Sequence, residues 1–490
     1  MASDKFRRQL RQEAESWKAD GLIDVTQYQQ LSERYQFQSL ETAARNRLII
    51  VLIGLGSILL GLGVITFVAA NWQVWPRSLK VVLLLGLFIG VNLTGFCLWR
   101  QPGVVSWRQP GVASWKQRLG EGLLILAALI LGANMALMGQ MFHRSGSAYE
   151  LCLFWGVGVL AMAYALRLAS LSVLSVLLVG LGYWLGIQDL ANTGVPVQWG
   201  WVMQTMPLLV MILFVPLAYW CRSRVVFGLA AIALVSSLTV IFADLVMQFD
   251  PVPGLIVAIA ITLPFMLLWG YNDTFWWLLM GYQPAAMEAA KPFRPIACSL
   301  TLIGLSILYY ILSFHGLWFD PDDVLPLTTQ WSTLMTANWP ILPKLTLAVV
   351  ATLAVGEWIY LGYSARLSDR RWRLDQTTTV LLVLMLLAAL VTFWHWTVQP
   401  IQVLATFIFN VLLFLLALGL MREGLGQGQR RAFWSGLVLL TLQIMGRLFE
   451  YNTGLLFKSF AFVLCGIGVI AVGLWFERYV RTLQPMQPRI

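Results

Sequence analysis

The sequence predicts an all-α, polytopic membrane protein, a bundle of about fourteen transmembrane helices with both termini on the cytoplasmic side. Three observations predict it. Hydrophobic residues make up 59% of the 490-residue chain and charged residues only 11%, whereas soluble folds carry about 25% charged residues. Apolar runs of roughly 17–24 residues recur along the chain, each long enough to cross a ~30 Å hydrocarbon core as a helix. Finally, 27 of the 33 Lys and Arg residues fall in alternate loops and at the two ends of the chain, the bias that marks cytoplasmic segments. Barrel strands would alternate over about ten residues, a pattern the chain lacks.

The fourteen spans are placed at 48–70, 79–99, 120–141, 151–166, 169–188, 202–221, 225–248, 254–270, 296–314, 342–363, 377–395, 401–421, 432–449 and 454–476. The fourth and eighth have the weakest signal. The stretch FWWLLMG at 275–281, just after the eighth, is expected in the membrane interface. The six remaining cations are Arg77, Lys80, Arg144, Lys344, Arg447 and Lys458, all at outer positions. Removing one span would invert every later loop and destroy the bias, so the charges favour an even count.

The domain organisation follows: a cytoplasmic helical hairpin at 1–47, a transmembrane domain at 48–476, and a short basic tail at 477–490. In the hairpin, Phe6, Leu10, Ala14 and Trp17 share a helical face. Gly21 ends the first helix, and Asp24 with Gln27 forms a capping-box signature for a second helix bearing Tyr28, Leu31 and Tyr35. The hairpin serves either as a packed cap on the loops or as a contact surface for a protein partner. Its polar composition leaves no cleavable leader of the usual form. The net charge of +10 reflects loop topology and not nucleic-acid binding. Cys97, Cys152, Cys221, Cys298 and Cys465 are scattered in or beside apolar runs, as small hydrophobes rather than a disulfide or zinc framework.

Span one stops at Ala-Asn-Trp, before Trp75 and Pro76. Asn71 and Trp72 suit an interface anchor, the indole at headgroup depth and the amide on the last helix carbonyls; the alternative is the polar rim of an outward-facing cavity. The phrase returns at 337–344 as ANWPILPK, either a trace of an internal repeat or a coincidence. The loop at 100–115 duplicates itself, RQPGVVSW then RQPGVASW, as permissive exposed loops tolerate.

Intramembrane charge is costly and so points to function. Glu357, in AVGEWIYLGY, lies six residues from the end of span ten, about 9 Å in. It is a proton-carrying or cation-binding group, or else a structural one that reaches the headgroup level or pairs with a neighbouring Arg. Arg447 and Glu450 stand three apart on one face of span thirteen; a mutual ion pair is the simpler role and an anion site the other. Asn92, Asn134, Gln140 and Asn410 lie within spans, where interhelical hydrogen bonding explains most such residues. A transport path would be lined by Glu357, Asn92 and Asn134. His143, His315 and His395 fall near Asp320, Asp322 and Asp323 but share no i, i+4 spacing, so no metal site is expected. The glycines, such as Gly54, Gly56, Gly61 and Gly63, follow no strand and fit close helix packing instead of a nucleotide loop. No catalytic constellation stands out, and neither enzyme activity nor a cofactor is expected.

Two stretches carry a family likeness. The head LRQEAESWKADGLIDVTQYQQLSERY followed by GLGSILLGLGVITFVAANW resembles the start of bacterial membrane proteins grouped as domain-of-unknown-function family 2157. The tail GRLFEYNTGLLFKSFAFVLCGIGVIAVGLWFERYVR is similar to their last two spans, through Arg447, Glu450, Lys458, Ser459 and Gly466. The resemblance covers roughly the first hundred and last forty residues. It implies an integral protein of a bacterial inner or thylakoid-type membrane and supplies no activity. Two roles remain open: a non-enzymatic scaffold, sensor or assembly factor using the hairpin, or a transporter or flippase of a small or lipid-linked substrate.

Overall fold

The computed structural model describes residues 4–35, 76–100, 115–141, 146–193, 199–248, 253–279, 292–318, 341–369, 375–451 and 454–483, with isolated positions between 52 and 66. The chain divides into two compact units, Met1–Arg144 and Ser145–Ile490. Most of the first span, the duplicated loop, the ANWPI echo, Asn71, Trp72, His143 and the 320–323 acidic patch lie outside the described residues.

The first unit opens with α1 (Asp4–Ala19) and α2 (Val25–Tyr35). They pack against each other, with Ala14 enclosed by Leu10, Trp17, Ile23, Tyr28, Leu31 and Tyr35. Gly21 turns the chain at φ 72°, a left-handed conformation that glycine adopts without steric cost. Asp24 then caps α2: its carboxylate accepts from the Thr26 hydroxyl at 2.8 Å and the Val25 N–H at 2.6 Å, while its own N–H donates to Gln27 Oε1 at 3.0 Å. After it come α3 (Arg77–Arg100) and α4 (Trp115–Met141), both apolar and long enough to span. They pack so tightly that a Cβ on Gly120 would collide with the Trp99 backbone, the close approach that small residues permit between membrane helices.

The second unit contains α5 (Ala148–Leu166), α6 (Ala169–Thr193), α7 (Gly200–Trp220), α8 (Arg224–Met247) and α9 (Gly254–Gly270). A short α10 (Asp273–Leu279) precedes α11 (Arg294–Leu312) and a 3₁₀ turn, His315–Leu317. The last five helices are α12 (Ile341–Asp369), α13 (Gln376–Thr397), α14 (Gln402–Gln427), α15 (Arg430–Glu450) and α16 (Leu455–Leu483). Among the described residues twelve helices are long and apolar enough to cross a membrane, and α9 is a shorter apolar helix of 17 residues.

α9 lies in the middle of this unit, against α8, α11, α12 and α13. Its Phe265 and Trp269 join Leu305, Tyr309, Leu384 and Phe409 in one core. Several helices outrun the expected spans. α12 continues to Asp369 because Ala-Arg-Leu-Ser-Asp holds no glycine or proline to stop it; its 29 residues extend about 44 Å, beyond a ~30 Å core.

The cap on α2 has a pH signature. The Thr26 hydroxyl and the Val25 N–H hold Asp24 below the usual carboxylate range. A depressed folded pKa contributes stability above the unfolded value, and that stability is lost as pH falls through the folded value. In hydrogen exchange on the whole chain, normalised for intrinsic rates, amides 25–28 should be better protected in wild type than in Asp24→Ala at neutral pH. That difference should vanish once the pH drops below the carboxylate range.

Candidate functional site

Glu357 is fully buried, twelve residues from the C-terminal end of α12, or about 18 Å along the axis. Its partner is not the arginine that the sequence offered as one alternative. Trp276 Nε1 donates to Glu357 Oε1 at 2.7 Å, across 81 residues of sequence. Glu357 Oε2 has no partner among the described residues. It borders a cavity of ≈ 20 Å³ lined by groups such as Val210, Met211, Leu267 and Tyr271, room for about one water molecule. Gly270 packs against the same turn of α12, where a Cβ would sit 3.0 Å from the Trp358 ring and 3.2 Å from Glu357 Cβ.

Within the FWWLLMG stretch that the sequence places at interface depth, Trp276 turns toward the protein's own interior. It is 7% exposed and lies inside the unit. The local chain explains how it gets there. α9 ends at Gly270, and Asn272 Oδ1 accepts the Thr274 N–H at 2.9 Å, the side-chain turn that starts a new helix. One residue on, Asp273 accepts from the Tyr219 hydroxyl at 2.6 Å, the Phe293 N–H at 3.0 Å and the Arg294 N–H at 3.1 Å. Asp273 therefore satisfies the free amides at the start of α11, where a carboxylate also complements the helix dipole. Tyr219 and Tyr271 share a hydrogen bond of 2.6 Å, and Tyr271 stacks on Trp276. α7, α10, α11 and α12 thus meet at one polar corner walled by aromatic rings.

A second polar knot closes the other end of α11. Arg447 pairs with Glu450, as the three-residue spacing predicts. The same guanidinium donates to the Ser313 carbonyl at 2.6 Å and lies 4.4 Å over the Phe314 ring. Glu450 accepts the His315 N–H at 2.5 Å, and Asn410 donates to the Ser313 carbonyl at 3.1 Å. Gln443 in turn donates to the Asn410 carbonyl at 2.8 Å. With its carboxylate and carbonyl partners in place, Arg447 fastens α15 to the end of α11, while its Nε–H is buried with no partner among the described residues.

In the first unit, the Asn134 amide donates to the Leu84 carbonyl at 3.0 Å, joining α4 to α3, and Asn92 is half-buried on α3. Buried His395 accepts the Ile401 N–H on Nδ1 at 3.0 Å. The structure thus brings Arg447 to Glu450 and gives Glu357 a partner among residues the sequence had not singled out: Tyr219, Tyr271, Asp273 and Trp276. The signal that could have found them was Asn272-Asp273-Thr274 ahead of an aromatic run, a helix-start signature.

The comparisons bear on the first third of the chain. Residues 15–172 match the family described as predicted membrane protein (DUF2157). The DUF2157 stretch runs from α1 into the first residues of α6, and so reaches further than the opening hundred residues that carry the likeness in the sequence. It leaves out Glu357, Arg447, Glu450 and the tail. No curated protein and no solved structure matches the chain. The family description and the twelve apolar helices make this an integral, multi-pass membrane protein.

The Trp276–Glu357 bond sets an energetic expectation. A hydrogen bond to a carboxylate contributes about 1.5–3 kcal/mol in soluble proteins, and interhelical bonds in membranes average about 0.6. A double-mutant cycle of Trp276→Phe and Glu357→Leu, read by equilibrium unfolding in detergent, should give a coupling of about 1–2 kcal/mol.

Proposed function

We propose that the protein is a non-enzymatic membrane protein with a scaffold, sensor or assembly role, whose N-terminal hairpin is the contact surface for a protein partner. In this reading it crosses a bacterial inner or thylakoid-type membrane fourteen times, with both termini cytoplasmic. The twelve long helices, the shorter α9 and the apolar stretch at 48–70 supply that number. The bias of Lys and Arg supports the orientation.

One observation carries the choice against a transporter: the most costly intramembrane group, Glu357, is sealed. It is fully buried, bonded to an indole, and adjoins space for about one water. A water-filled path for an ion or polar solute would leave such a carboxylate wet. Asn134, the second group of the candidate path, has its amide committed to a backbone carbonyl. The hairpin supports the other half of the reading, since it folds around its own small core and carries Glu13, Lys18 and Asp20 at exposed positions.

Cysteine accessibility tests the proposal. In a chain lacking the five native cysteines, Ala354→Cys and Leu361→Cys, buried one helical turn to either side of Glu357 with its bond to Trp276 intact, should stay unlabelled by a membrane-impermeant maleimide applied from either side. Glu13→Cys, at an exposed position of the hairpin, serves as the labelled reference. Strong labelling at both buried positions would replace this reading with the transporter or flippase.

A further inference from the structure

We infer that the groove between α11, α14 and α15 is a binding site for an anionic phospholipid of the cytoplasmic leaflet. The groove has a volume of ≈ 870 Å³, within the range of about 300–1,000 Å³ typical of ligand sites. On α11 it extends from Pro295 to Tyr310, about 22 Å at 1.5 Å per residue. That exceeds the ~15 Å depth of one leaflet of hydrocarbon. An acyl chain fits along it.

The walls change character from one end to the other. Ile303, Ile307, Val438 and Leu442 line the apolar length and are themselves exposed at the groove's margin, so the groove is continuous with the lipid-facing surface. The hydroxyls there make no demand on a ligand: Ser306 donates to the Leu302 carbonyl and Ser299 to the Pro295 carbonyl, each at 2.7 Å. At the opposite end, by the turn from α14 to α15, the lining becomes Glu423, Gln427, Gln429 and Arg431. A neighbouring hollow of ≈ 300 Å³ between α13 and α14 shares Leu302, Leu420, Glu423 and Gln427 with the groove and adds Arg422. Two apolar hollows beside one polar end suit the two chains of a diacyl lipid.

Charge selects the headgroup. Arg430 is paired with Glu477 at 3.0 Å, whereas Arg422 and Arg431 have no ion pair among the described residues. Against these two cations stands Glu423, whose carboxylate takes an N–H from Gln427 at 3.1 Å. The turn also belongs to the Lys/Arg-rich set that the positive-inside bias assigns to the cytoplasm. Basic pockets between helices on that side recognise anionic headgroups.

The test uses the full chain, purified in detergent, stripped of lipid and titrated with dioleoyl phosphatidylglycerol or dioleoyl phosphatidylcholine, with bound lipid counted by native mass spectrometry. Wild type should retain the phosphatidylglycerol preferentially. Arg422→Gln and Arg431→Gln, both at exposed positions, should each weaken that preference by about five-fold. Ser306→Phe, which fills the groove, should lower retention of both lipids. Equal retention of the two lipids by wild type would overturn the inference, as would an undiminished preference in the double arginine variant. The arginine variants decide the matter even if Ser306→Phe misfolds. None of these readings depends on Glu357.

Discussion

A carboxyl group in the middle of a membrane helix has to be covered, and the arrangement of the second unit follows from how Glu357 is covered. Burying a polar group without a partner costs several kcal/mol in an apolar surrounding. The chain meets that demand by breaking after α9, starting α10 and turning Trp276 inward to donate to the carboxylate. The break is possible because Gly270 allows α9 to approach α12 closely and because Asn272 supplies the turn. The residual cavity is water-sized, so the same interaction that holds the carboxylate also closes the interior.

The corner has consequences for α11. Asp273 links α10 to the first amides of α11, and the Arg447–Glu450 pair grips the turn that follows its last residue. One helix is thereby fixed at both ends by polar contacts with different neighbours. Its middle is left to pack on one side against the Phe265–Tyr309–Phe409 core and to line the lateral groove on the other. Membrane helices gain little from burying apolar surface against one another, because lipid is equally apolar. Polar fasteners at helix ends are then a physical means of holding a groove open while its wall stays lipid-like.

Much of this architecture was legible in the sequence. Apolar runs located the described spans, and 254–270 coincides with α9 despite its short length. Where helices ran on, as α12 did, the reason was that hydropathy marks the edge of the hydrocarbon and not the end of the backbone hydrogen bonding. Glu357 stood out because charge is rare in a span, and Arg447 with Glu450 because three-residue spacing is a local signal. Their long-range partners were not legible. Ser313 is engaged through both its carbonyl and its hydroxyl by an arginine 134 residues away, a separation at which no local spacing announces the pair. Trp276 was hidden for a different reason: an aromatic run beside a span ordinarily marks the headgroup layer. Only the fold brings that indole to a carboxylate 81 residues away.

Hydrogen exchange on α10 tests the claim that the Trp276–Glu357 bond closes the interior. With the chain reconstituted in lipid vesicles, the amides of residues 273–279 should exchange slowly in wild type and at least ten-fold faster in Glu357→Leu, about 1.4 kcal/mol of lost local stability. Amides in α13 should be unchanged. Rapid exchange of α10 in wild type, or equal protection in the two proteins, would mean that this bond does not hold the corner shut.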